Sequence, residues 1–450
     1  MTAPHRPNLP RLELHIPEPH SRPGEAVSFA HVDTGKAGAV RRPDSAASEA
    51  EMRDLPYELI RVLDDENHAV GPWNPQVAPD TLRKGLRAML LTRIFDDRLF
   101  RAHRQGKTSF YMKSTGEEAI PVAQALALDK GDMFFPTYRA TGWLHARNYP
   151  LTTLCNQIFS NAEDPLAGKQ LPILMSARDY DFYSISGNLG VRFVHAVGWA
   201  MASAYKSDTK ISLGYVGEGT TAEGDFHEAM TFAGVFRAPT ILCITNNQWA
   251  ISSFAGFAGG TQVPFAAKAL AYGVPGLKVD GNDFLAVWAA TQWAADRART
   301  NHGPTLIEFY TYRAEGHSTS DDPTRYRPRD EAAQWPLGDP VERLADHLTA
   351  IGEWDEARHE ALIEELKDKV KVAVKEAEAI GTLGQSKPPI EEMFEDVFET
   401  PDWRLREQRR RLLARRAAAG VVDGAGGGTG SGPGAASGTG PGVSSNRAEG

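Results

Sequence analysis

The sequence of 450 residues predicts an α/β fold with a mainly parallel sheet flanked by helices. Two observations carry this reading. Short apolar runs alternate with helix-like stretches as far as Tyr312, an order that favours parallel strands joined by helical crossovers. The polar residues richest in chemistry also stand just after strand ends, where open α/β sheets bind their ligands. Before the body, residues 1–53 are rich in proline, charge and small side chains with little periodicity, which predicts an extended or disordered arm. Its apolar residues Leu12, Leu14, Ile16 and Phe29 are candidate docking anchors. The α/β domain is placed at 54–340 and opens with a helical pattern from Pro79 to Arg104. Phe134 and Phe135 end a strand before a loop holding Tyr138 and Arg139, and a helix is expected from Phe193 to Tyr205. Residues 341–419 read as a charged helical region, including a basic helix from Arg404 to Arg416. Gly, Ser, Ala and Pro dominate 420–450, which predicts a flexible tail.

One strand–helix–strand unit has an unusual pair of ends. Ile211 to Val216 has strand composition and is broken by Gly217, Glu218 and Gly219. Phe226, Ala229, Met230, Ala233 and Phe236 then recur at helical spacing, so one buried face is expected, and Pro239 stops the helix. Thr240 to Ile244 is again β-branched and apolar, and leads into Asn246 and Asn247. A right-handed crossover makes the two strands parallel, so Glu218 and Asn247 reach the same sheet edge. A carboxylate and an amide there offer hard oxygens to a divalent cation such as Mg²⁺, which takes its remaining ligands from phosphates. Glycines allow the backbone to approach a diphosphate, and a following helix amino terminus favours its charge.

Composition excludes several classes. A net charge of −9 argues against a general nucleic-acid binder. Cys155 and Cys243 are too few and too distant for a disulfide framework or zinc motif, and are expected to pack as small apolar side chains in a reducing cytoplasm. Neither a membrane-spanning run nor the apolar core of a secretion signal is present in the sequence, so no membrane partner is expected. No Gly-x-Gly-x-x-Gly stands in a dinucleotide-binding context.

The pair of ends resembles the thiamine diphosphate fingerprint, with Glu218 where Asp is more common. From about Leu82 to Trp403 the chain resembles one family, the alpha subunits of the branched-chain 2-oxo acid dehydrogenase decarboxylating component. The matching phrases are Ser109 to Met112, Tyr138-Arg139, Ser186 to Leu189, Asn246 to Ser252, Val279 to Asp283 and His317 to Asp322. The resemblance implies a thiamine-diphosphate-binding fold and assigns the cofactor to Tyr138, Arg139, Leu189, Gly217, Glu218, Gly219, Thr220, Asn247 and His317. It implies Mg²⁺ on Glu218, Asn247 and the backbone carbonyl of Trp249, a substrate pocket walled by Phe110 and Tyr138, and His317 as the catalytic residue. His317 also suits the role chemically, since imidazole titrates near neutrality. Implied partners are a beta subunit in an α2β2 assembly, a lipoyl-bearing acyltransferase core and a 2-oxo acid substrate. Pyruvate or acetoin dehydrogenase alpha subunits and a non-catalytic scaffold homologue are the alternative readings. The chain departs from some family members at Thr245, where an arginine can stand, and at Val191 and Arg192, where others bind potassium.

Overall fold

The computed structural model describes residues 12–383, 385, 390–395 and 398–420. The start of the expected arm and nearly all of the expected tail lie outside them. The chain divides into two units, Met1–Pro388 and Pro389–Gly450. In the second, the basic helix forms over Trp403–Ala418, where Asp402 caps it by accepting from Leu405 N.

Within the first unit, residues 12–48 form neither helix nor strand, and Leu12, Leu14 and Ile16 are exposed. Phe29 instead meets Tyr312 and Trp335 edge-on at 6.1 and 5.2 Å. Further along, Trp293 Nε1 donates to Pro43 O at 2.9 Å and Arg297 to Ser45 O at 2.7 Å. Residues 12–48 therefore have no helix or strand of their own, yet the later part of this stretch is fixed by side chains of the body, and a 3-10 turn follows at Glu49–Met52.

The body opens with β1 (Leu59–Ile60), α1 (Pro79–Arg104), α2 (Ala119–Ala127), β2 (Met133–Phe135), α3 (Thr141–Ala146), α4 (Leu151–Phe159) and α5 (Val191–Tyr205). It continues through β3 (Ser212–Gly217), α6 (Gly224–Phe236), β4 (Thr240–Asn246), the short hairpin β5 (Trp249–Ala250) and β6 (Ser253–Phe254), β7 (Gly276–Asp280), α7 (Phe284–Arg299) and β8 (Thr305–Tyr310). The helices α8 (Pro340–Ala350) and α9 (Glu356–Ile380) follow and lie against α1. Six strands form one sheet in the order β1-β7-β8-β4-β3-β2, every pair parallel.

The composition of β4 follows from its central place. Ile241 and Cys243 enter one apolar cluster with α2 and α7, while Leu242 and Ile244 enter another with α5 and α6. A strand covered on both faces needs apolar residues at every position, not at alternate ones. Both cysteines are buried, free and far from reactive, because burial raises their thiol pKa values. One expected core residue is displaced: Phe236 is 58% exposed, although Phe226, Ala229, Met230 and Ala233 are buried as expected. The cause is local. The helix ends there, with Arg237 in the left-handed region at φ 48°, and Phe236 turns to the outer face beside Phe232.

Parallel pairing fixes the register that matters. Gly217 stands opposite Thr245, so Glu218 and the Asn246-Asn247 pair leave the sheet side by side. The phrase Val279 to Asp283 proves to be structural. Asp283 is fully buried, caps α7 by accepting from Leu285 N and Ala286 N, and also accepts from Val62 N and Leu63 N at 2.7 and 2.6 Å. Asp280 pairs with Arg343 at 2.7 Å and so ties α8 to the sheet. Replacing Asp283 with alanine strands four backbone donors and is expected to cost about 3 kcal/mol or more, measurable by chemical denaturation.

Candidate active site

The six strands of the parallel sheet end at one edge, and residues after them converge there. Tyr138 and Arg139 follow β2, Glu218 follows β3, Asn247 follows β4, and Arg313 and His317 follow β8. They line a cavity of about 510 Å³, together with Phe110, Leu189, Gly217, Gly219, Thr220 and Trp249, so the residues assigned to cofactor, metal, substrate and catalysis all border one space. A second cleft, of about 440 Å³ over α1 and α9, holds none of them.

Of the two asparagines, only Asn247 belongs to this cavity. Asn246 donates from Nδ2 to Glu308 Oε1 at 2.7 Å, and Glu308 in turn accepts from Ala266 N, so the first asparagine anchors the end of β4. Asn247 Nδ2 donates to Glu117 Oε1 at 2.7 Å. Glu117 thereby fixes the amide orientation and leaves Oδ1, which among the described residues accepts only a 3.3 Å contact from Trp249 N, as the available oxygen donor.

Glu218 is incompletely satisfied. It is 2% exposed, and its Oε1 has no hydrogen-bond partner among the described residues. Burial first, and the neighbouring Glu117 carboxylate further, push its pKa up to about 7, opposed by backbone hydrogen bonds from Glu218 and Asn247 and by the charge of Arg313. A sealed carboxylate oxygen without a donor is what a bound cation would neutralise. Gly217 adds room, since a Cβ there would meet no atom within 4 Å. A Cβ on Gly219 would come within 2.7 Å of Ala250 Cβ, so glycine is needed for the turn to pack on the β5–β6 hairpin. Among the described residues there is no cluster of three or more His, Cys, Asp or Glu suited to a metal. The protein oxygens present, one carboxylate and one amide, fit a cation that draws its other ligands from phosphates. The Trp249 carbonyl accepts from Arg313 Nη1 at 2.9 Å, which leaves one lone pair on it for a metal.

His317 is held by three contacts. Its backbone N–H donates to Asp321 Oδ2 at 2.6 Å, its carbonyl accepts from Arg139 Nη2 at 2.6 Å, and its ring stands edge-on to Tyr138 at 5.9 Å. Burial, then Arg139 and Arg313, lower its pKa to about 4, so the imidazole is neutral near pH 7. Arg139 Nη2 lies 3.4 Å from Nδ1, and a guanidinium donor facing that nitrogen places the ring proton on Nε2. The loop itself is stitched to the Ser109–Met112 segment, where Thr319 N donates to Tyr111 O at 3.0 Å. The Tyr111 hydroxyl donates to the buried Asp96 at 2.7 Å, which anchors that segment to α1.

Three participants were not anticipated. Glu117, 5% exposed, orients Asn247 and faces Arg139 Nε across 3.6 Å. Arg313, 1% exposed, braces the β5–β6 hairpin and the His317 loop. Arg192 also borders the cavity. A signal for Arg313 was available, since Tyr312-Arg313 repeats the Tyr138-Arg139 pairing at another strand end. Glu117 had only an unremarkable Gly-Glu-Glu.

A cavity at the carboxyl edge of a parallel sheet, with a free carboxylate and converging guanidinium groups, places the protein among α/β enzymes built for a phosphorylated cofactor. The family "Dehydrogenase E1 component" matches residues 86–385, and the chain belongs to that family. Residues 10–50 match "2-oxoisovalerate dehydrogenase E1 alpha subunit N terminal". The chain is 53% identical over 402 residues to the 2-oxoisovalerate dehydrogenase subunit alpha of Pseudomonas aeruginosa, covering 89% of this chain and 98% of that one. It is 36% identical to the mitochondrial 2-oxoisovalerate dehydrogenase subunit alpha of Mus musculus, over 79% of each chain. With the subunit of Dictyostelium discoideum it shares 34% over 81% of this chain and 82% of the other. No helix among the described residues is long and apolar enough to cross a membrane.

Proposed function

We propose that this chain is the alpha subunit of a branched-chain 2-oxo acid dehydrogenase component, which decarboxylates 3-methyl-2-oxobutanoate and passes the acyl group to a lipoyl domain. The observation that carries the reading is the cavity bordered at once by Glu218, Asn247, Arg139 and His317, in a chain 53% identical over nearly its whole length to a bacterial 2-oxoisovalerate dehydrogenase subunit. Thiamine diphosphate, the cofactor of the family, supplies when bound the electron sink that loss of carbon dioxide from a 2-oxo acid requires. Glu218 and Asn247 Oδ1 would hold Mg²⁺, with the Trp249 carbonyl as a third oxygen, and Arg139 would hold the diphosphate. Leu189 would pack against the cofactor. His317, neutral and protonated on Nε2, would offer a hydrogen bond to the reacting oxygen without adding a charge.

Activity is expected only with a beta subunit, in an α2β2 assembly that feeds a lipoyl-bearing acyltransferase core in the cytoplasm. Phe110, Met112, Leu171, Ile173 and Leu174 give the cavity an apolar side suited to a branched aliphatic chain. The reconstituted pair should therefore turn over 3-methyl-2-oxobutanoate with a kcat/KM at least ~10²-fold above that for pyruvate, since each buried methyl group is worth roughly tenfold or more in such a pocket. Equal or inverted preference, in an assay following reduction of an artificial electron acceptor, would favour a pyruvate-type enzyme instead.

A further inference from the structure

Three arginines border the cavity, and two are already engaged. Arg313 donates to Trp249 O, Ile251 O and the Tyr326 hydroxyl at 2.9, 2.8 and 2.6 Å. Arg139 faces Glu117 at 3.6 Å and donates to His317 O and Lys113 O. Arg192 differs. It is 3% exposed, and its one hydrogen bond among the described residues runs from Nη2 to Ser186 O at 2.8 Å. Its Nε is buried with no partner among the described residues. Glu223 is the one carboxylate that acts on it, from beyond ion-pair distance, and Glu223 Oε2 already accepts from Gly190 N at 3.1 Å. Burial pulls the guanidinium below the ordinary arginine range, against weaker support from Tyr138 and Glu223. The Tyr138 ring has Arg139 and Arg192 each 5.6 Å from its centroid.

A buried cation without a counter-ion is costly unless an anion accompanies it in the working state. We propose that Arg192 is a further anion-holding residue of this site, and that its ligand is the diphosphate group of the cofactor. The proposal rests on the cofactor reading above. The competing anion, the substrate carboxylate, is discharged as carbon dioxide. A fixed cation on it would stabilise the reactant more than the transition state and slow the reaction. A diphosphate keeps its charge throughout the cycle, so a guanidinium on it carries no such penalty. A purely structural clamp on Ser186 O is also a poor account, because one bond to a neutral carbonyl does not require a charge.

The test uses the subunit pair freed of cofactor, with thiamine diphosphate and inorganic pyrophosphate as probes in the presence of Mg²⁺. Calorimetric titration of Arg192→Gln should give a Kd for thiamine diphosphate raised ~10- to 100-fold, the range for loss of charge-assisted hydrogen bonds. Arg192→Lys should recover part of that loss. Pyrophosphate should raise the melting temperature of the wild type and not of Arg192→Gln, while the ligand-free variant should melt at or above the ligand-free wild type. Affinities within twofold of wild type would overturn the proposal, and so would a ligand-free variant that melts lower with unchanged affinity, the signature of a loop clamp. A wild-type pair that binds pyrophosphate through Arg192 but not thiamine diphosphate would overturn the cofactor reading and leave the anion site standing. Binding of neither probe would overturn both.

Discussion

Replacing Glu218 with glutamine is expected to lower decarboxylation by the subunit pair at least ~10³-fold, about 4 kcal/mol of lost stabilisation. The substitution keeps size and shape, removes the charge and turns one acceptor oxygen into an N–H donor, so the result tests the carboxylate as a cation ligand. The ligand-free protein should not suffer. Glu218 is buried with an orphaned oxygen, and a neutral amide there relieves the desolvation that now raises its pKa. Adding cofactor and Mg²⁺ at about 1,000 times the wild-type Kd should stabilise the wild type by about 4 kcal/mol and the variant by little. Thermal melts of both proteins with and without the two ligands give the four values needed. A variant that still gained the full cofactor-dependent shift would show that this carboxylate is not the metal ligand, whatever its activity.

The parts of this site legible in the sequence are those that depend on chain direction alone. Two parallel strands joined by a helix must end together, so chain direction alone brings Glu218 and Asn247 to one edge. Helix α1 could be read from Pro79 to Arg104 because its apolar face recurs over many turns. What required the structure was pairing between segments far apart in the chain. Asn247 and Glu117 are 130 residues apart, and nothing local marks Glu117 as the group that sets the amide. Arg192 stood in the sequence only as a departure from a potassium-binding pattern, and its significance comes from its having no ion pair among the described residues, a three-dimensional fact. Asp283 shows the reverse error to which a motif is open. It lies in a family phrase, yet it works by capping α7 and docking the residues after β1. Phe236 fits the helical period and is still exposed, at the last residue of α6 beside the comparably exposed Phe232.

His317→Ala is the second large effect, with an expected fall in kcat of ~10² to 10⁴, the usual weight of a positioned imidazole. The ring belongs to a loop fixed independently of it: Asp321 takes its backbone N–H, Arg139 takes its carbonyl, and Thr319 bonds to Tyr111. Removing the imidazole should therefore leave the loop in place and change cofactor affinity far less than Glu218→Gln does. The two steps His317 could serve are separable, because decarboxylation can be followed with an artificial acceptor and acyl transfer with a free lipoyl domain. A ring needed only for transfer would spare the first assay and depress the second; a ring needed for decarboxylation depresses both. With the pKa held near 4 by burial and by Arg139 and Arg313, the working form is the neutral one, so the His317-dependent part of the rate should not rise on acidification from pH 8 to 6. If the alanine variant stayed within twofold of wild type in both assays, the conclusion would be that Arg139 and Arg313 stabilise the reacting charge on their own, and that this histidine only fills the wall beside Tyr138.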